Sequence, residues 1–466
     1  MDDHSEEWDL LVAGIRQGDE AAAREVANYM WGRQMSPDIQ RNPDNTITLS
    51  FTFTSGASML ESELNLQTAS NDANALASGE CLKRFDTDGS PIEMGGRTLT
   101  SKGQAEKTYQ SPYGPVSVPR HVYQSSWGGA TYCPLEVAAR SVRTATPLLA
   151  KQAAFKLGIM NSNAAIKDLR QFGRTFARSY LQKLGADVAS IIDEKQDYWK
   201  YVPTPEELGY GKCVKTISLG VDGTCALFCD DGYREVMVGT IALYDDEGER
   251  LHTTYVAEAP EYGKKTFFAK MDGEIEMMRT RFPEARWVGI ADGAHSHWPW
   301  LEAQTTWQVV DFWHVAEYLA GAAKAMARGK NQQGSWLEDA CHRLKHENGA
   351  AKELLEEMEK ARLEVTKGAR AKVLDQAISY FGNHQDRMGY SLHVAMDLPI
   401  GSGVTEAGCK IVVKQRMCGS GMKWQMPGAK QILSLRTMVL TNGRWEQFWQ
   451  KLSQFGFTKI SGPAEA

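Results

Sequence analysis

Four carboxylates and a histidine in this chain stand where they could do chemistry together: Asp222 in "SLGVDGT", Asp292 in "GIADGAH", Asp311 and His314 in "VVDFWH", and Glu406 in "PIGSGVTEAGCK". Each Asp closes an apolar run, and Glu406 heads a stretch, Ala407 to Trp445, with seven Lys or Arg and no acid. Carboxylates delivered by neighbouring strands, joined by one from a later helix, form the all-oxygen set that a hard divalent cation such as Mg²⁺ prefers. Two such ions roughly 4 Å apart activate an attacking oxygen and steady a leaving one in an in-line phosphoryl transfer. Taken singly, each residue has a plainer reading. An Asp at a strand end is commonly a turn or helix cap, the Gly after Asp222 and Asp292 suits a turn, and Glu406 has Lys410 one helical turn on as an ion-pair partner. The combination carries the cation reading, because unpaired buried carboxylates would each cost several kcal/mol.

The elements needed to position them are legible. "VKTISLGVDGT" (214–224) alternates Ile217, Leu219 and Val221 on one face, a strand with Asp222 just beyond its last apolar residue and pointing to the other face. "REVMVGTIALYD" and "RLHTTYVAEAP" are two more strands joined by the hairpin signal "DDEGE", and "KKTFFAKMDGEIEMMRTRF" is helical. "ARWVGIADGAH" is a short buried strand ending in Asp292, and "TWQVVDFWHVAEYLAGAAKAMA" a strand ending in Asp311 that runs into a helix. Three antiparallel strands followed by helix, strand, helix, strand, helix predict an α/β fold: a mixed sheet flanked by helices, the RNase H-like arrangement, over 206–320. Each Asp would then sit at the C-terminal end of its strand, where open α/β sheets hold ligands. Asp292 and Asp311 both remain candidates for the second acid. Chain order favours Asp292, which ends the fourth strand beside the first, whereas Asp311 ends the fifth. Residues 321–398 are almost wholly helical, an insertion into the core or an independent bundle, and 399–452 carry Glu406 on a helix beginning near Gly403.

Composition bounds the rest. A chain of 466 residues with 42% hydrophobic and 24% charged residues is a soluble globular protein of several domains. No apolar run approaches the roughly 18 residues of a membrane span, and "MDDHSEEWDL" is acidic where a signal peptide is basic, so a cytoplasmic protein is expected. Eight cysteines without a CxxC pair indicate neither a disulfide framework nor a zinc ribbon. The net charge of −6 lies wholly in residues 1–30, which hold eight acidic and two basic side chains. The remainder is neutral but carries two basic blocks: residues 140–185, with nine Lys or Arg against Asp168, and the acid-free run after Glu406. Basic patches on a neutral body are the footprint of a phosphate-backbone binder, and solvated helix faces are the alternative. Residues 1–95 read as an acidic amphipathic helix or two and then a loop-rich stretch, 96–140 as a β-hairpin region, and 453–466 as a flexible tail. Within 141–205, "PLLAKQAAFKLG", "NSNAAIKDLRQFG" with Ser162 as cap, and "RTFARSYLQKLG" ending at Gly185 predict short helices in a helix-turn-helix-like domain, with a helical linker as the alternative.

"SLGVDGT", "ADGAHSHW", "VVDFWHVAEYLAGAAKA", "YFGNHQDRMGY", "PIGSGVTEAGCKIVVKQRM", "GSGMKW" and "GRWEQFW" together resemble the ISKra-type insertion-sequence transposases of bacteria, over about residues 96–452. These are DDE transposases with an RNase H-like catalytic domain. The resemblance implies that Asp222, Asp292 and Glu406 are the catalytic, metal-holding triad for two Mg²⁺ ions, with Mn²⁺ able to substitute. By similarity to the C/D-x-x-H motif of the hAT and Mutator-like enzymes, "DFWH" implies Asp311 and His314 as supporting residues beside the site. It implies hydrolysis at a transposon end, then attack of the freed 3′-OH on target DNA. The partners would be terminal inverted repeats, target DNA and a second copy of the chain or a larger assembly, in the bacterial cytoplasm at the nucleoid. Lys410, Lys414, Arg416, Lys423 and Arg436 would neutralise phosphates, and Lys167, Arg170, Arg174 and Arg178 would bind the terminal repeats. Trp336 would be either core or a stacking platform for a base. In one respect the chain departs from these relatives: where many have a CxxC ribbon before the helix-turn-helix, it has "YQSSWGG" and only Cys133, so the hairpin there must hold by packing. Three rivals remain: a silent DNA-binding derivative, a structure-specific nuclease of the same fold, and a metallohydrolase using His295, His297, His314 and Asp311. A zinc requirement would mark the last of these.

Overall fold

The computed structural model describes residues 37–365 and 367–456, so the acidic segment 1–30 and most of the tail lie outside the described residues. The described chain divides into two compact units, one of residues 37–156, 161–188 and 452–456, the other of residues 157–160 and 189–451.

The first unit opens with a hairpin, β1 (Asp38–Arg41) and β2 (Ile47–Ser50), and a helix, α1 (Met59–Lys83). This 25-residue helix occupies a stretch that the sequence reading leaves as loop. Its buried face is built from Ala69, Ala73, Ala75, Gly79 and Leu82, mostly too small to register as an apolar stripe. The small face is a packing device: a Cβ on Gly79 would come within 2.5 Å of Val116 Cγ2. Val116 lies in an antiparallel sheet of order β3 (Ile92–Met94), β4 (Arg97–Gln110), β5 (Pro115–Ser125), β6 (Gly128–Tyr132). Cys133, Tyr109, Val118 and Leu135 form the apolar cluster at its base. The helices α2 (Pro134–Ala138), α3 (Pro147–Ile159), α4 (Ser162–Gln171) and α5 (Arg178–Lys195) follow. The cap of α4 is Asn161, whose side chain accepts from the Ala164 N–H, and Ser162 is already helical. Nor does α5 stop at Gly185. Leu181, Leu184 and Val188 are buried along one stripe, enough to offset the roughly 1 kcal/mol that an internal glycine costs.

In the second unit the strands are β7 (Thr216–Phe228), β8 (Gly232–Tyr244), β9 (Arg250–Glu258), β10 (Arg286–Ala291) and β11 (Trp307–Val310). The helices α6 (Lys265–Arg281), α7 (Trp298–Gln304) and α8 (Phe312–Met326) alternate with them in the order read from the sequence. The sheet order is β11-β10-β7-β8-β9, parallel among the first three and antiparallel from β7 to β9. Alternation puts Ile217, Leu219, Val221, Met237 and Ile241 on one face and Ala226, Phe228, Val236 and Val238 on the other. The first face shares its core with α9 (Lys330–His346), α10 (Ala350–Glu364) and α11 (Ala369–His384) through Leu344, Leu354, Leu374 and Phe381. The helical insertion and the sheet are thus one continuous core. After α12 (Tyr390–Ala395), the second face is covered by α13 (Gly403–Gly408), a π-helical turn over Cys409–Lys414, and α14 (Met426–Leu440); α15 (Arg444–Phe455) follows and runs three residues into the stretch read as tail.

One strand differs from expectation in a way that shapes the site. Asp222 does not end β7. The strand runs on to Phe228, paired with β8 throughout, while β10 leaves it after the Ile290–Gly220 pair. The vacated edge is taken up again only near its end, where the Trp424 N–H donates to the Leu227 carbonyl. Among the described residues, no helix is long and apolar enough to cross a membrane.

Candidate active site

The register of the parallel strands puts three aspartates side by side. Asp222 and Asp292 each stand two residues past the paired Gly220 and Ile290, and Asp292 and Asp311 each one residue past the paired Ala291 and Val310. Glu406 reaches the same level from above. The small residues around it let α13 lie directly on the sheet: a Cβ on Gly220 would fall 1.8 Å from Thr405 Oγ1, and one on Gly408 3.2 Å from Thr240 Cγ2. The Thr240 and Thr405 hydroxyls share a 2.7 Å hydrogen bond beneath the helix, which leaves Glu406 exposed on the outer face. Asp222, Asp292, Glu406, His314, Lys410 and Lys414 line one open cleft of about 720 Å³.

The four acids differ in how their oxygens are used. Asp311 is fully buried. Its Oδ1 accepts from the Trp313 N–H at 2.5 Å and the His314 N–H at 3.0 Å, capping α8, and its Oδ2 accepts from the N–H and hydroxyl of Ser402. Ser402 Oγ also lies 3.1 Å from Glu406 Oε1. Asp311 therefore fixes the start of the Glu406 helix, and its four bonds leave little capacity for anything in the cleft. Asp292 is exposed, with one oxygen accepting from the Ala294 N–H at 3.1 Å. Asp222 takes the Gly223 N–H on Oδ1 at 2.6 Å and the Cys409 thiol on Oδ2 at 3.3 Å. Burial, then the charge of Asp222, pushes the Cys409 thiol well up, so it stays protonated and donates. His314 Nε2 stands 3.6 Å from Glu406 Oε1. The donor set has the hard-oxygen chemistry of a Mg²⁺ site. In side-chain position, however, no three His, Cys, Asp or Glu among the described residues are gathered closely enough to hold a metal ion. Glu406 is turned toward Ser402 and His314.

No known family model matches this chain, and no curated protein matches it.

The basic residues divide sharply. Lys410, Lys414 and Lys423 are exposed, the first two on the cleft wall, and Lys167, Arg170 and Arg178 are exposed in the first unit. Arg174, Arg416 and Arg436 are buried and cannot serve as phosphate contacts. Arg174 donates to Gln110 Oε1 and covers the Phe176 ring. Arg436 donates to the carbonyls of Val412, Ile411 and Gly158, and Arg416 to that of Leu157. Desolvation lowers both of the latter to about 10, the Arg416 charge adding to the effect on Arg436. Two of the carbonyls held by Arg436 belong to the π-helical turn, a geometry that occurs mostly as single-turn bulges near functional sites. Trp336 is partly buried against the apolar core, its Nε1 donating to Glu357 at 3.3 Å, which favours the core alternative. The histidines of the metallohydrolase alternative are dispersed: His297 is buried, with burial lowering its pKa, and His295 stacks on His384. The sequence reading missed Ser402, Cys409, Gly220 and Thr405. Only Ser402, four residues ahead of Glu406, carried a signal of its role.

Proposed function

We propose that this chain is a metal-dependent phosphoryl-transfer enzyme of the RNase H-like group acting on DNA, a DDE transposase of the ISKra type. The observation that supports it best is the division of labour among the acids. Asp222, Asp292 and Glu406, from two adjacent parallel strands and a covering helix, open on one cleft with Lys410 and Lys414, while Asp311 is consumed in holding that helix. The strand order β11-β10-β7-β8-β9, with three antiparallel strands preceding two parallel ones, supports the RNase H-like assignment. Asp222, Asp292 and Glu406 would hold two Mg²⁺ ions, for which Mn²⁺ could substitute, and such ions supply Lewis-acid activation of the attacking and leaving oxygens. Glu406 would have to swing from Ser402 and His314 toward the aspartates to join them. Lys410 and Lys414 neutralise the phosphates flanking the scissile bond, Asp311 and Ser402 keep the Glu406 helix seated, and His314 limits where the Glu406 carboxylate rests. The exposed Lys167, Arg170 and Arg178 bind DNA backbone in the first unit, and the joining of two ends requires more than one copy of the chain.

The test is a cleavage and strand-transfer assay on DNA bearing the repeats that flank the gene, with Mg²⁺ or Mn²⁺. Asp222→Ala, Asp292→Ala and Glu406→Ala each abolish both steps while leaving DNA binding intact. Activity retained in Glu406→Ala, or supported by Zn²⁺ and not Mg²⁺, refutes the reading.

A further inference from the structure

We infer that Cys409 is a positioning residue for Asp222, its thiol holding the carboxylate in the orientation in which it receives a cation. This rests on the proposed use of the cleft. Cys409 is 4% exposed and packs in the apolar cluster of Val238, Val412, Val413 and Met417 at the edge of the cleft, where its sulfur meets Asp222 Oδ2 at 3.3 Å. The other oxygen is held by the Gly223 N–H at 2.6 Å. With one donor on each oxygen the carboxylate plane is fixed, and each oxygen still has a lone pair free for a cation. The donor matters as well as the contact. A thiol is a weak hydrogen-bond donor that packs as a small hydrophobe, so it can orient the carboxylate without drawing off much of the charge that a cation needs. The bond also ties two elements together. Cys409 follows the Glu406 helix directly, so the same turn that presents Glu406 sets the orientation of Asp222 on β7.

The experiment uses the full chain and Mn²⁺ alone, with binding read from loss of the free-ion electron paramagnetic resonance signal and thermal melting run in parallel. The expected result is that Cys409→Ala weakens Mn²⁺ binding about fivefold, roughly 1 kcal/mol, that Cys409→Ser restores most of it, and that Asp222→Ala abolishes it. If Cys409→Ala binds Mn²⁺ like wild type while Asp222→Ala does not bind, the inference falls and the reading of the cleft stands. If Asp222→Ala also binds like wild type, both fall. A loss in Cys409→Ala that Cys409→Ser does not repair, accompanied by a lower melting temperature, assigns the residue to packing and overturns the inference.

Discussion

Asn substitutions at Asp292 and Asp311 separate a residue that faces the cleft from one that builds it. At Asp311 the carboxylate is fully buried and accepts four hydrogen bonds, from Trp313 N–H, His314 N–H, Ser402 N–H and Ser402 Oγ–H. If the Asn oxygen keeps the two bonds that cap α8, its NH₂ faces Ser402. The Ser402 hydroxyl can rotate to accept, but the Ser402 N–H is left without a partner. A stranded buried group costs about 1–3 kcal/mol, and losing charge assistance on the remaining bonds brings the total to about 3–5 kcal/mol, the range for breaking a buried charged network. At about 2–4 °C per kcal/mol for a unit of this size, melting falls by roughly 10 °C. Asp292 is exposed and accepts only one backbone bond, from Ala294 N–H, so Asp292→Asn changes stability by no more than about 0.5 kcal/mol. Under the proposed function its cost is catalytic, with about tenfold in rate lost for each 1.36 kcal/mol of cation stabilisation that the missing anionic ligand removes. Circular-dichroism melts beside a DNA cleavage assay read both. A normal melt with lost activity in Asp311→Asn, together with an active Asp292→Asn, refutes the assignment and exchanges the two roles.

Gly220→Ala puts a methyl into Thr405 Oγ1 and within 2.9 Å of Thr240 Oγ1. It is expected to destabilise by about 1–3 kcal/mol and to lower cleavage by lifting the Glu406 helix; an unaltered melt and rate would show that α13 does not depend on that approach. Lys410→Ala and Lys414→Ala each reduce the slope of log affinity for DNA against log salt by about 1, whereas Arg436→Met leaves the slope alone and lowers the melting temperature, because its partners are backbone carbonyls. His252, buried beside Tyr201 and held by desolvation at about 4 against an ordinary 6.5, is neutral in both folded and unfolded chains at pH 7. Between about 6.5 and 4 the unfolded chain binds a proton that the folded one refuses, so stability falls across that window by about 3 kcal/mol and no further below it. Urea melts of wild type and His252→Gln at pH 7 and pH 4.5 check this, the variant losing that part of the pH dependence.

The alternation of Ile217, Leu219 and Val221 and the order of apolar runs foretold the strand sequence of the second unit, and the aspartates fell on one level because parallel register followed from that order. Where β7 would end was not legible, since residues 223–228 pair with β8 for reasons that lie in β8. Nor was the fate of the basic run. Arg416 and Arg436 look like Lys410 and Lys414 in one dimension. What separates them is a set of buried carbonyls that need donors from inside, Leu157 for Arg416 and two of the π-helical turn for Arg436, a tertiary demand with no sequence period. The helix over 59–83 was hidden because its buried face is mostly alanine and glycine, which pack closely without announcing an apolar stripe. The small residues around Glu406 are the contact surface of its helix with β7 and β8, a role that shows only once the helix is laid on the sheet.

The departure of β10 from β7 after Gly220 opens the cleft between backbones anchored in the sheet and one exposed carboxylate on the covering helix. Asp222 stands on a strand whose opposite edge is hydrogen-bonded to β8 for its full length, so its backbone has nowhere to go. Glu406 rides on a six-residue helix that Asp311 holds at its start and Thr240 holds from beneath, so the freedom it has lies in the torsions of its own exposed side chain. If the cleft takes the cations proposed for it, the travel comes from the Glu406 side chain, and the aspartates act as the anvil.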